Sequence, residues 1–231
     1  GFIDSVDRFV LLSGVPRAIR RINQSEYLAI VATNQSVIAR NRIGFDGLRE
    51  IHNKMEWQLG KDGAYIDALY FCPHHPDKGY PEERAEYKVD CTCRKPAPGM
   101  LLEAAETYNI NLSHSYMIGD SVRDMEAGKA AGCATIGISP HQPSVALQQA
   151  ADVIFQNLTQ AVGFILDHPL DEVRQAVAKR NPRKDLVLVA ISGNARVGKT
   201  TISNGLALKW RKEGQAVSVI HLDDWLFPKV V

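Results

Sequence analysis

Short apolar runs alternate along this chain with stretches whose apolar residues recur every three or four positions. The runs predict strands at Leu28–Ala32, Tyr116–Ile118, Ala134–Ile138, Val153–Phe155, Leu186–Ile191 and Val217–Leu222. Helices fall between them. Val15, Ile19 and Ile22 share a face before the first strand, and Leu48, Ile51, Met55 and Leu59 share one after it. Pro98 and Gly99 open a third helix that runs to about Tyr108, since proline is tolerated in a first turn. A fourth covers Val122 to Ala131. Strand and helix in alternation predict an α/β fold on a parallel, Rossmann-like sheet.

Two stretches interrupt the alternation. From Cys72 to Pro98 the chain is rich in proline, charge and aromatic residues without a period, which predicts a long ordered loop of functional character. Arg180-Asn181-Pro182-Arg183-Lys184 is polar and ends a helical pattern just before the strand at Leu186. A domain over 1–167, a linker over 168–184 and a second domain from 185 to 231 follow from that break.

Charge narrows the class of partner. Lys and Arg number 27 against 26 Asp and Glu, a net charge of +1, so neither nucleic acid nor an anionic membrane is expected as the main partner. The longest strongly apolar run, Leu186–Ile191, is far shorter than the ~20 residues that span a bilayer. The first residues lack a basic segment followed by an apolar one. Four cysteines in such a chain fit a reducing compartment, and the expected location is the cytoplasm.

Three of those cysteines have metal-ligand spacing. Cys72-x-His74 and Cys91-x-Cys93 offer three thiolates and an imidazole, a tetrahedral set for Zn²⁺ that leaves no open position for water. Such an ion would order a loop with too little apolar content to order itself. The bland alternative is a buried thiol at a strand end beside an accidental CxC. His75 is the other imidazole within reach, and the matching geometry of CxH and CxC favours His74. Cys133 reads as a small packed residue between a helix and a strand.

Two polar groups follow predicted strands: Thr33-Asn34-Gln35-Ser36, and Gly119-Asp120-Ser121-Val122-Arg123-Asp124. Ligands of open α/β sheets gather at such carboxyl ends. A hydroxyl near a helix N-terminus suits a phosphate oxygen, and a carboxylate after glycine suits Mg²⁺. Each group alone is a weak signal, since a strand-end Thr or Asp is more often a cap.

Taken in order, VATNQS, CPHHP, CRKPAPGML and GDSVRD resemble the haloacid dehalogenase superfamily of phosphatases, over roughly residues 1 to 165. Within it the chain is most similar to the heptose bisphosphate 7-phosphatases. The sister family of histidinol-phosphate phosphatases, which carries the same zinc loop, is the alternative. The resemblance implies a Mg²⁺-dependent phosphatase of a phosphorylated sugar. It implies that Thr33 binds the transferring phosphoryl group with Asn34 beside it, and that Lys95 neutralises charge. Asp120 would hold Mg²⁺ with Asp124 in support, and Arg94 would contact the rest of the substrate. It also implies an aspartate nucleophile in a DxDGT strand. No DxDGT occurs in these residues, and Asp4 and Asp7 have the wrong spacing. The expectation is therefore a fragment that alone does not turn over substrate.

The chain carries a second chemistry. Gly193, Gly198, Lys199 and Thr200 complete GxxxxGK(S/T) between a predicted strand and a helix. In that context backbone N–H groups cradle phosphates, Lys199 reaches the β/γ-phosphates of ATP and Thr200 ligates Mg²⁺. His221-Leu222-Asp223-Asp224-Trp225 resembles the strand end of the uridine kinase and pantothenate kinase group, which implies Asp223 as a base on an acceptor hydroxyl. The bland reading is a pair of solvated carboxylates. Together these features suggest a phosphatase fused to the beginning of an ATP-dependent small-molecule kinase. Polynucleotide kinase-phosphatase pairs the same activities, but the charge balance and the zinc loop weigh against it. A catalytically inactive scaffold with a nucleotide-binding module is the non-enzyme alternative.

Overall fold

The computed structural model describes residues 2–77, 83–167 and 199–214. Among these residues five strands, each parallel to the strand it pairs with, alternate with helices: α1 (Val15–Asn23), β1 (Ile30–Asn34), α2 (Phe45–Lys61), β2 (Ala68–Cys72), α3 (Gly99–Tyr108), β3 (Tyr116–Gly119), α4 (Val122–Ala131), β4 (Ala134–Ile138), α5 (Val145–Ala150), β5 (Val153–Phe155), α6 (Leu158–Leu166) and α7 (Lys199–Lys212). Among the described residues the strands form two sheets, β1-β2 and β3-β4-β5. The predicted α/β class with parallel strands is observed.

The structure departs from the sequence-based expectation at four elements. The first strand lies two residues further on than predicted, at Ile30–Asn34, so Thr33 and Asn34 end the strand rather than follow it. Its partner, β2, was missing from the prediction and sets the register, with Ile30 opposite Ala68 and Asn34 opposite Cys72. The Asp67 carboxylate accepts from the Ala29 amide at 2.7 Å and fixes where the pairing starts. Leu28 is left outside, 46% exposed. Helices α5 and α6, also unpredicted, begin at side-chain caps: Ser144 accepts from the Leu147 amide and Asn157 from the Gln160 amide.

Helix α4 positions the chemistry. Ser121 and Asp124 form a reciprocal capping box at its start, and Gly132 ends it with φ +85°, a conformation glycine adopts without penalty. The helix lies close on β3 and β4 because Gly128 has no side chain. A Cβ there would stand 2.6 Å from the Met117 Cβ. Beneath the β3-β4-β5 sheet Ile136, Val153, Ala161, Phe164 and Ile165 form the larger core, while Val37, Ile38 and Leu48 form a second under Phe71 and Tyr87.

Helix α7 belongs to the segment assigned to a second domain, yet Leu206, Ala207 and Leu208 are buried and Leu208 joins the larger core. The linker 168–184, the strands predicted at Leu186–Ile191 and Val217–Leu222, and the site residues Gly193, Gly198 and Asp223 lie outside the described residues. No helix among the described residues is long and apolar enough to cross a membrane.

Candidate active site

Lys95 joins the two halves of the fold. Its Nζ donates to the Ala32 carbonyl of β1 at 2.7 Å and stands 2.6 Å from Asp124 Oδ1 in the first turn of α4. The lysine and aspartate side chains are only 13% and 9% exposed, so water screens the pair weakly. Asn34 holds the backbone of the same lysine at two points: its Nδ2 donates to the Lys95 carbonyl at 2.9 Å, and its Oδ1 accepts from the Lys95 amide at 3.0 Å. The carboxamide is thereby committed to orienting residue 95. At the other side of the strand end, Thr33 Oγ1 accepts from Gln35 Nε2 at 3.2 Å.

Asp124 is buried and doubly engaged. While Oδ1 faces Lys95, Oδ2 accepts from the Ser121 amide at 3.0 Å and from the Ser121 hydroxyl at 2.8 Å. A Cβ on Gly119 would overlap this carboxylate, so glycine is the residue that admits it beside the strand end. Asp120, by contrast, is exposed and its carboxylate makes no hydrogen bond among the described residues. It is an oxygen donor that could meet a cation, while Asp124 is committed to Lys95 and Ser121. Ser121 escaped the sequence reading as a site residue, although its S-x-x-D spacing ahead of a helix was the available signal.

The cysteine and histidine residues converge as their spacing suggests. Cys72 Sγ lies 3.6 Å from His74 Nδ1 and 3.6 Å from Cys91 Sγ, while Cys93 Sγ lies 3.5 Å from His74 Nδ1 and 3.3 Å from Cys91 Sγ. All four ligand atoms lie within 4.8 Å of one another. Ligands at ~2.3 Å around a tetrahedral Zn²⁺ stand ~3.8 Å apart, so the cluster is of the size such an ion requires. Burial pushes the Cys72 thiol well above its ordinary pKa, and a bound cation is what would make thiolates tolerable there. All four cysteines of the chain are free thiols. His75 is turned elsewhere, its Nε2 3.1 Å from an Arg40 guanidinium nitrogen and 3.6 Å from Asp77.

The cluster and the lysine share one loop. Arg94, between Cys93 and Lys95, donates to the His74 carbonyl at 2.9 Å. Burial draws its pKa down, and the nearby positive charge of Arg123 acts in the same direction. The amide of Gly99 donates to the Thr92 carbonyl at 2.9 Å, a closure that leaves no room for a Cβ at residue 99. Of the predicted nucleotide-binding residues, Lys199 and Thr200 open α7 as backbone.

In sequence and in fold the chain is similar to known proteins. A HAD-hydrolase-like family profile matches residues 92–161. The D-glycero-beta-D-manno-heptose-1,7-bisphosphate 7-phosphatase of Yersinia pestis is 39% identical over 135 residues, 58% of this chain and 70% of its own. That of Haemophilus ducreyi is 32% identical over 168 residues, 71% of this chain and 90% of its own. Among solved structures, the D,D-heptose 1,7-bisphosphate phosphatase of B. bronchiseptica complexed with magnesium and phosphate superposes with a TM-score of 0.62 at 33% identity, covering 72% of this chain and 89% of that one. A putative HAD-like phosphatase from Mesorhizobium loti superposes with a TM-score of 0.56 at 27% identity, covering 70% of this chain and 78% of that one.

Proposed function

Because the chain belongs to the HAD-like phosphatases and is homologous to the heptose 1,7-bisphosphate 7-phosphatases, we propose that the protein removes the 7-phosphate of a heptose bisphosphate with Mg²⁺. The observation that carries this reading is the convergence of Lys95, Asn34 and Asp124 at the carboxyl ends of β1 and β3. Phosphoryl transfer asks its surroundings for position and neutralised charge more than for new covalent chemistry. Lys95 supplies the positive charge and Asn34 holds its backbone in place. Thr33 offers a hydroxyl to a phosphoryl oxygen. Asp120 would hold Mg²⁺, with Asp124 in support by fixing Lys95 and the start of α4. When bound, the magnesium adds charge to stabilise the transferring phosphoryl group. The covalent step falls to the aspartate that the family places in DxDGT. Arg94 would contact the remainder of the sugar phosphate.

Cys72, His74, Cys91 and Cys93 would hold Zn²⁺ as a structural ion. The Gly193–Thr200 motif supports a second proposal, that the same polypeptide binds ATP for a small-molecule kinase with Asp223 as the base.

Phosphate release by the protein with Mg²⁺ tests the phosphatase, with heptose 1,7-bisphosphate, histidinol phosphate and a 3′-phosphorylated oligonucleotide compared by kcat/KM. The heptose bisphosphate is expected to lead by about 100-fold or more. A lead for histidinol phosphate would transfer the reading to the sister family.

A further inference from the structure

Two arginines flank the ion pair at the centre of the site. Lys95 and Asp124 meet at 2.6 Å, and the residue before each is an arginine, Arg94 on the loop and Arg123 in the first turn of α4. Their charges are close enough to repel, so that Arg123 adds to the effect of burial in drawing the Arg94 pKa down. Arg94 donates to the His74 carbonyl and forms no ion pair among the described residues. Arg123 is exposed, and among the described residues it forms neither a hydrogen bond nor an ion pair. The carboxylate next to it, Asp124, is already committed to Lys95 and Ser121.

The other described cations on the loops after β1 and β2 have partners. Arg42 pairs with Asp4 at 3.2 Å and Lys88 with Glu83 at 2.7 Å, Arg84 donates to the Asn41 carboxamide oxygen at 2.7 Å, and Arg40 stands 3.1 Å from His75 Nε2. Arg123 differs from all of these. It lies beside a second guanidinium and at the positive end of a helix dipole, two placements that disfavour a cation. No described side chain offsets either one, whereas an anion entering the site would offset both.

We propose that Arg123, together with Arg94, binds the substrate phosphate that is not transferred. Resting on the bisphosphate phosphatase reading of this site, the assignment names the residue that makes the site prefer two phosphates to one. On that reading Lys95 meets the transferring group, and the second dianion needs cations of its own. A guanidinium presents its donors in a planar fork that matches two phosphate oxygens at once. The second phosphate does not react, so its charge is the same in the ground and transition states. Its contact with Arg123 therefore acts on KM more than on kcat.

Phosphate release with Mg²⁺ from heptose 1,7-bisphosphate and from heptose 7-phosphate tests this in the parent protein and in Arg123→Gln. The parent is expected to favour the bisphosphate by about 10-fold or more in kcat/KM. Arg123→Gln should lower kcat/KM for the bisphosphate about 10-fold more than for the monophosphate, chiefly through KM. Arg123→Lys, which keeps the charge but not the fork, should recover part of the preference. An Arg123→Gln protein that keeps the parent's preference, whether by losing both activities equally or by losing neither, overturns the assignment while the phosphatase reading stands. So does a parent that turns over the two substrates equally well. Release from neither substrate by the parent overturns the phosphatase reading and the role of Arg123 with it.

Discussion

The Lys95 ammonium stands 2.6 Å from the Asp124 carboxylate, and that same carboxylate caps α4 through Ser121. One side chain thus serves both helix formation and charge placement. Replacing Lys95 with alanine strands a buried carboxylate and, on the proposed function, removes the charge that neutralises the phosphoryl group. The expected result is a loss of about 3 kcal/mol in stability, read by denaturant unfolding, and a fall in phosphatase kcat of about 100-fold or more. A Lys95→Ala protein within tenfold of the parent rate would show that the lysine is structural only.

Gly119 is the close-contact point behind this pair. Gly119→Ala places a methyl group inside the Asp124 carboxylate, which must then leave its cap. Overpacking of this kind costs about 1–3 kcal/mol, and loss of the cap about 1 kcal/mol more. A melting temperature unchanged by the substitution would mean that α4 can shift away from β3 without cost.

Metal analysis of the purified protein should find about one equivalent of zinc. Cys91→Ser and Cys93→Ser are each expected to release it, and a chelator should lower the melting temperature of the parent but not of either variant. Unaltered zinc content in both variants would place the ion elsewhere.

Acid should weaken the fold through His52. Burial lowers its pKa, Glu56 opposes this more weakly, its Nε2 has no hydrogen-bond partner among the described residues, and its ring centre lies 5.7 Å from that of Phe71. The unfolded chain therefore takes up a proton at a higher pH than the folded one. The neutral imidazole contributes fully above the unfolded value of about 6.5, and that contribution is lost as pH falls through 6.5 toward the lower folded value. Between pH 7 and 5 the melting temperature of His52→Leu should fall less steeply than that of the parent. Parallel slopes would remove His52 from the acid response.

What the sequence could disclose depended on how local each signal is. Helix α4 was legible because its cap, apolar face and terminal glycine fall within a dozen residues. The Cys72, His74, Cys91 and Cys93 cluster was legible from ligand type and spacing. Strand β2 was not, because Ala68–Cys72 is a single short apolar run abutting the irregular loop, and its partner lies in a distant stretch. The same pairing moved β1 by two residues, a register that no property of Leu28 or Ala29 encodes. The contacts of Lys95 with Asn34 and Ala32 join residues more than 60 positions apart, so the sequence could suggest the lysine but not its partners. The placement of α7 was hidden for a related reason: an apolar helix face does not say which sheet it will cover.

The segment from Cys93 to Gly99 acts as a ruler. Cys93 is fixed by its sulfur and Gly99 by its hydrogen bond back to Thr92, while Asn34 grips Lys95 between them. With both ends and the middle pinned, the number of residues cannot change without carrying the ammonium away from Ala32 and Asp124. Length variation among homologues, and insertions made by design, should therefore be tolerated outside this stretch and rejected within it.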